Sequence, residues 1–279
     1  MIDLHSHSTA SDGSLSPTLL MEEAAARGIS TIALTDHDTI AGVAEASAAA
    51  KRLGLRFVPG VEIEIAWEPG EFHLLALGIH RPTGEFLEAL DRLALGREVR
   101  NRRILDLMRE MGIEADYEEV EAHAAGKVVG RPHFASFLVE RKVTKNRQQA
   151  FDRYLGKGRP FYAPKTSLEL VRAIALIKAS GGVAVLAHPL SLYVAWGRLP
   201  ALLADFKEKG LDGLEAWHPT AKVRSCERLE SLGKSLGLIV TGGSDFHGEA
   251  RPDRKLGITS GGRKIDDRYL EGVPVEALS

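Results

Sequence analysis

The sequence predicts an α/β fold: a distorted (β/α)7 barrel with a helical insertion domain. Three observations lead there. Short apolar runs alternate with amphipathic stretches of helical length along most of the 279 residues, the pattern of parallel strands covered by helices. Histidines and carboxylates recur at or just after the ends of those runs, where barrels gather functional groups. One long charged stretch, from 80 to 164, holds no convincing strand and interrupts the alternation.

Strands are expected at 2–5, 31–35, 56–65, 72–79, 182–187, 213–217 and 238–242, most of them carrying β-branched residues. The first helix is announced by Ser16-Pro17, a cap followed by a proline suited to the first helical position, and is closed by Gly28. An Ala-rich helix over 39–53 stops at Gly54, and further helices are expected at 168–179, 199–209 and 223–236. In the interruption, 85–111 is a charged amphipathic helix with Leu90, Leu93, Ile104, Leu107 and Met108 among its apolar positions. Shorter helices follow at 132–140 and 147–154, and 156–160 is the return loop. The expected organisation is a catalytic barrel of residues 1–81 and 166–279, with a helical insertion, 82–165, over its active-site face.

Composition narrows the class. No apolar run approaches the ~18 residues of a membrane helix, so no membrane association is expected, and the N-terminus lacks the charged and then apolar stretch of a cleavable signal. The single cysteine, Cys226, cannot form an internal disulfide, which suits a reducing cytoplasm and an inert thiol. The net charge of −2 is unevenly spread. Residues 81–165 carry 17 Lys/Arg against 13 Asp/Glu, so a phosphorylated substrate would suit the middle of the chain, as would a solvated helix face.

The chemistry begins at His5-Ser6-His7. Residues two apart on a strand share a face, so both imidazoles can reach one point. Alone this is a weak metal signal. Its company is Asp12, Thr35-Asp36-His37-Asp38, Gly60-Val61-Glu62, His73, Ala187-His188-Pro189 and Ser244-Asp245-Phe246-His247. Six histidines and three acids placed this way suit clustered divalent metals, which can activate water and clamp the attacking and leaving oxygens of a phosphate ester. A serine nucleophile would need a turn of the Gly-x-Ser-x-Gly kind, and none occurs. Glu64 lies on the same strand face as Glu62 and could replace it.

These motifs in this order resemble the PHP (polymerase and histidinol phosphatase) family, over residues 1 to about 250. Gly130-Arg131-Pro132-His133-Phe134 further resembles the branch of 3′,5′-nucleoside bisphosphate phosphatases and short-RNA 5′-to-3′ exonucleases. The resemblance implies three divalent ions (Mn, Zn or Fe). The first would be held by His5, His7, Glu62 and Asp245; the second by Glu62, His73 and His188; the third by Asp12, His37 and His247. Asp12 stands where other branches carry histidine, which makes the third site harder. The implied reaction is attack on phosphorus by a metal-bridging hydroxide. Arg131 would stabilise phosphoryl oxygens, since its planar fork donates two hydrogen bonds. His133 would contact phosphate or protonate the leaving group, Asp36 would orient a ligand histidine or handle a proton, and His218 would line the pocket.

The expected activity is hydrolysis of a phosphate monoester of a small nucleotide, a 3′,5′-nucleoside bisphosphate. The alternatives are 5′-to-3′ exonuclease action on short RNA and a non-catalytic metal-binding regulatory module. Histidinol-phosphate hydrolysis is disfavoured by Asp12 and the Arg131 motif. No protein partner is inferred.

Overall fold

The computed structural model describes residues 1–124 and 128–275; residues 125–127 and 276–279, which belong to the expected insertion and barrel ranges, lie outside the description. Seven strands form one sheet in chain order: β1 (Ile2–Asp3), β2 (Thr31–Leu34), β3 (Arg56–Ile65), β4 (Phe72–Leu77), β5 (Val183–Leu186), β6 (Gly213–Trp217) and β7 (Ile239–Gly242). Past the ends of β1 and β7 the chain pairs again, Ser6 with Phe246, and the His7 N–H donates to the Phe246 carbonyl at 2.9 Å. The sheet is thus nearly closed into a barrel. Asp3 reinforces the closure from within. Fully buried, it accepts from Ser244 N (2.9 Å), Ser244 Oγ (2.5 Å) and Gly257 N (2.7 Å).

The expectation of seven parallel strand–helix units needs one correction. β4 runs antiparallel to both β3 and β5, while the remaining pairs are parallel. The cause is the connection. Only residues 66–71 separate β3 from β4, and a parallel crossover needs a dozen or more. Apolar faces could not reveal this, because strands of either direction are buried on both sides here.

The helices follow their punctuation. In α1 (Pro17–Ala26) the Ser16 side chain accepts from Leu19 N at 3.2 Å. α2 (Val43–Leu53) starts later than expected, because 39–42 is spent on a turn, and it ends at Gly54 in the left-handed conformation that glycine adopts without strain (φ 70°). Between β4 and β5 come α3 (Gly84–Glu110), α4 (Tyr117–Glu121), α5 (Arg131–Glu140), α6 (Arg147–Ala150) with a π-helical turn at Phe151–Leu155, and α7 (Leu170–Ala179). The short α4 was not expected. α8 (Leu199–Glu208) and α9 (Val223–Ser235) complete the barrel layer, and an unexpected two-stranded hairpin, β8 (Ile258–Thr259) with β9 (Arg263–Lys264), follows β7.

The long α3 serves two cores. Its first half, Phe86, Ala89, Leu90 and Leu93, packs into the barrel core with Ile174 and Ile177 of α7. Its second half, Ile104, Leu105 and Met108, joins a separate cluster with Phe134, Phe137, Leu138 and Phe161. Gly96 lies between the halves, where any Cβ would fall 2.1 Å from Thr166 Oγ1. The insertion's aromatics are therefore mostly core, with Phe134, Phe137 and Phe161 fully buried. Cys226 is also in the barrel core, and burial pushes its thiol pKa up. Among the described residues no helix is long and apolar enough to cross a membrane.

Candidate metal and phosphate site

At one end of the barrel, where most strands finish and the antiparallel β4 begins, the sequence motifs converge on one carboxylate. Glu62 Oε2 lies 3.2 Å from His5 Nε2, 3.4 Å from His7 Nε2 and 3.1 Å from His37 Nδ1. Its Oε1 lies 2.9 Å from His73 Nδ1 and 3.0 Å from His188 Nε2. The strand alternation that puts His5 and His7 on one face sets their rings 5.2 Å apart. Asp245 Oδ1 faces the same pair, 3.5 Å from His5 and 3.2 Å from His7. Asp12 Oδ1 lies 3.3 Å from His247 Nε2 and 3.9 Å from both His37 Nε2 and His7 Nδ1. The ligand atoms of His5, His7, Glu62 and Asp245, those of His37, Glu62 and His73, and those of His7, Asp12, His37 and His247 each lie within 4.8 Å of one another. Glu64, the rival of Glu62, reaches only His73 among the histidines, at 3.2 Å, and pairs with Lys165 at 2.7 Å.

The donor set suits divalent ions. His5 Nε2, both His7 nitrogens, Glu62 Oε2 and His247 Nε2 are buried without a hydrogen-bond partner, an arrangement that costs free energy unless a shared cation satisfies it. Burial pushes His37 down to about 3 against the pull of Glu62 and Asp12, so its imidazole is neutral, the form a cation needs. Burial opposes ionisation of Glu62, Asp245 and Asp12, but the surrounding histidines outweigh it and hold all three well below the usual carboxylate range. Three of the chain's non-glycine residues with positive φ occur in this cluster: Asp38 (54°), His188 (29°) and Asp245 (49°). Strain is concentrated where side chains must be aimed.

The other expected site residues divide. Asp36 is buried with both oxygens engaged: Oδ1 accepts from Ser8 N (2.8 Å) and Ser11 Oγ (2.5 Å), Oδ2 from Ser8 Oγ (2.7 Å). It holds the turn that carries Asp12. His218 is buried at the wall of a cavity it shares with Glu62, His188 and Asp245, with Nε2 3.1 Å from Asp245 Oδ2 and Nδ1 2.7 Å from Thr220 Oγ1. Arg131 and His133 reach a cavity shared with Asp12, His37 and His73. The Arg131 guanidinium lies 3.5 Å from Glu71 Oε1. His133 Nδ1 accepts from Gly130 N–H at 2.8 Å, so a neutral ring carries its proton on Nε2, and burial lowers its pKa.

Several residues carry no sequence signal of their own. Glu215, mid-strand in β6 and fully buried, lies 3.0 Å from His5 Nδ1 and accepts from His188 N at 2.8 Å. Arg254 pairs with Asp245 Oδ2. Arg97, Arg100 and Lys165 line the same cavity as Arg131. Arg97 pairs with Asp38. Arg100 is buried with Nε unpartnered, and burial together with Arg97 and Arg131 brings it down to about 10.

A nearly closed seven-stranded barrel whose strand ends assemble histidines and carboxylates around a cation-lined cavity is the architecture of the PHP family, and the chain belongs to it: a PHP domain is matched over residues 3–156. A 5′-3′ exoribonuclease of Haemophilus influenzae is 39% identical over 88% of this chain and 89% of its own length. A 3′,5′-nucleoside bisphosphate phosphatase of Chromobacterium violaceum is 33% identical, over 92% of this chain and 91% of its own. Among solved structures, an amidohydrolase from Chromobacterium violaceum, with sulfate bound and no metal, superposes over 100% of this chain and 98% of its own with a TM-score of 0.85 at 30% identity.

Proposed function

We propose that this chain is a metal-dependent phosphoesterase that removes phosphate from a small nucleotide, a 3′,5′-nucleoside bisphosphate. The observation that carries this reading is Glu62, whose two oxygens face five histidines beside a cavity lined with arginines. His5, His7, Glu62 and Asp245 would hold one divalent ion, Glu62, His73 and His188 a second, and Asp12, His37 and His247 a third; Mn, Zn and Fe all suit such ligands. When bound, such ions supply Lewis acidity and lower the pKa of water to about 7. The chain's own residues do the rest. Arg131, Arg100 and Lys165 balance the charge of the phosphate oxygens. His133 offers an Nε2–H, able to donate to a phosphate oxygen or to the leaving oxygen. Asp36 is a positioning residue for the Ser8–Ser11 turn.

In this reading the barrel of 1–81 and 166–279 carries the metal ligands, and the 82–165 insertion brings Arg100, Arg131 and His133 to the phosphate from above, in a cytoplasmic protein. A second reading, 5′-to-3′ exonuclease action on short RNA, is favoured by the 39% identity to the Haemophilus enzyme. The test is turnover with added Mn²⁺, read as phosphate release from 3′,5′-bisphosphate nucleotides and histidinol phosphate and as mononucleotide release from 5′-phosphorylated oligonucleotides. Highest kcat/KM on the bisphosphate supports the first reading, and on oligonucleotides the second. Turnover that survives both Asp245→Ala and His188→Ala would sink this site, and no turnover at all would favour a non-catalytic metal-binding module.

A further inference from the structure

We infer that Tyr193 is a stacking platform for a nucleobase, set on the rim between the metal cluster and an apolar groove; this rests on the nucleotide reading above. Tyr193 is 75% exposed, the most exposed of the chain's large hydrophobic side chains among the described residues. It lines two adjoining cavities. One contains His37, Glu62, His73, His188 and Asp245. The other is a groove of about 660 Å³ formed by Trp67, Pro69, Val194, Arg198 and Leu202. A ligand whose phosphate lay against the first cavity would meet the phenol ring on its way to the second.

The ring's support is built rather than loose. His188 Nδ1 is 2.8 Å from Ser191 Oγ, which donates to the Glu71 carbonyl at 2.8 Å. Glu71 N donates to the Ser191 carbonyl at 2.8 Å, and Trp67 Nε1 donates to the Leu192 carbonyl at 3.1 Å. The 188–192 segment is thereby pinned to the β3–β4 turn, and it fixes the start of the platform on a residue already facing Glu62. Tyr193 itself holds a left-handed backbone (φ 52°, ψ 36°), which a tyrosine rarely adopts. An exposed aromatic gains nothing from the core. Stacked on a base it buries one face, and every base has a face to offer, so the platform is tolerant of sequence. Arg198 lines the groove but not the first cavity, and adds a cation there.

The test is equilibrium binding by calorimetry of a nucleoside 5′-monophosphate and of ribose 5-phosphate, which share phosphate and sugar but differ in the base. The wild type should bind the nucleotide about tenfold more tightly, the size of one base–aromatic stack. Tyr193→Ala should abolish that difference and leave ribose 5-phosphate binding unchanged, while Tyr193→Phe should keep it. Equal loss for both ligands in Tyr193→Ala, or a wild type that does not discriminate between them, would overturn the inference. Failure of the phosphoesterase reading shows separately, as the wild type releasing neither phosphate from bisphosphate nucleotides nor mononucleotides from short oligonucleotides.

Discussion

Glu215 and His5 meet in the barrel interior, Oε1 to Nδ1 at 3.0 Å, with both side chains fully buried. A carboxylate there draws the ring proton to Nδ1 and leaves Nε2 directed at Glu62 and Asp245. Such a partner fixes the tautomer of a metal-binding histidine and raises its basicity. Glu215→Gln should therefore weaken divalent-metal binding about 10–100-fold, read by calorimetric titration of Mn²⁺. Unchanged affinity would mean that Glu215 only fills space.

Asp12 is the acid of the His7, His37 and His247 cluster. Asp12→Ala should lower the metal content by one ion per chain and leave the ions at Glu62 in place. Elemental analysis after dialysis against Mn²⁺ reads the stoichiometry directly. Loss of all metal in this variant would show that the clusters fill only together.

Chelation should destabilise the fold. An ion that binds only the native state contributes about 2.7 kcal/mol at a hundred times its dissociation constant, equivalent to roughly 5 °C in Tm for a chain of 279 residues. Calorimetric scans with excess Mn²⁺ and with EDTA should separate by at least that interval. Coincident scans would remove the metals from the account of stability.

Tyr269, which is not among the metal-cluster residues, gives a pH signature of its own. Burial and its hydrogen bond to Glu230 (2.9 Å) push its phenol up to about 12, against a pull from Arg268. Because the folded value lies above the unfolded one, near 10, the neutral phenol's stabilisation is fully present below pH 10. It is lost as pH rises through 12. Difference absorbance titration of wild type against Tyr269→Phe should find this tyrosine ionising well above 10, and ionisation near 10 would contradict the arrangement.

Most motif residues were legible because they fall at or just after the end of an apolar run, where a barrel must place its functional groups, although His73 stands at the start of β4 and Glu62 lies inside β3. His5, His37, His188 and Asp245 thus announced themselves through spacing. Glu215 did not, because a lone acid inside an apolar strand has the same look whether it faces a histidine or the solvent. Arg97 and Arg100 were hidden in a helix rich in surface charge, and only the three-dimensional path of α3 separates Arg100, facing the cavity, from its exposed neighbour Arg102. The direction of β4 was readable in principle from the length of 66–71, whereas burial pattern said nothing about it.

That short turn also bears on the order in which the centre assembles. Glu62 and His73 meet diagonally across a hairpin closed by six residues, while His5 and Asp245 come from the first and last strand ends and meet only after the ring of strands closes. Pairings near in sequence form sooner, because less chain entropy is lost in closing them. The nascent chain can thus bring together the heart of the cluster early, and the cluster becomes complete only as the barrel seals.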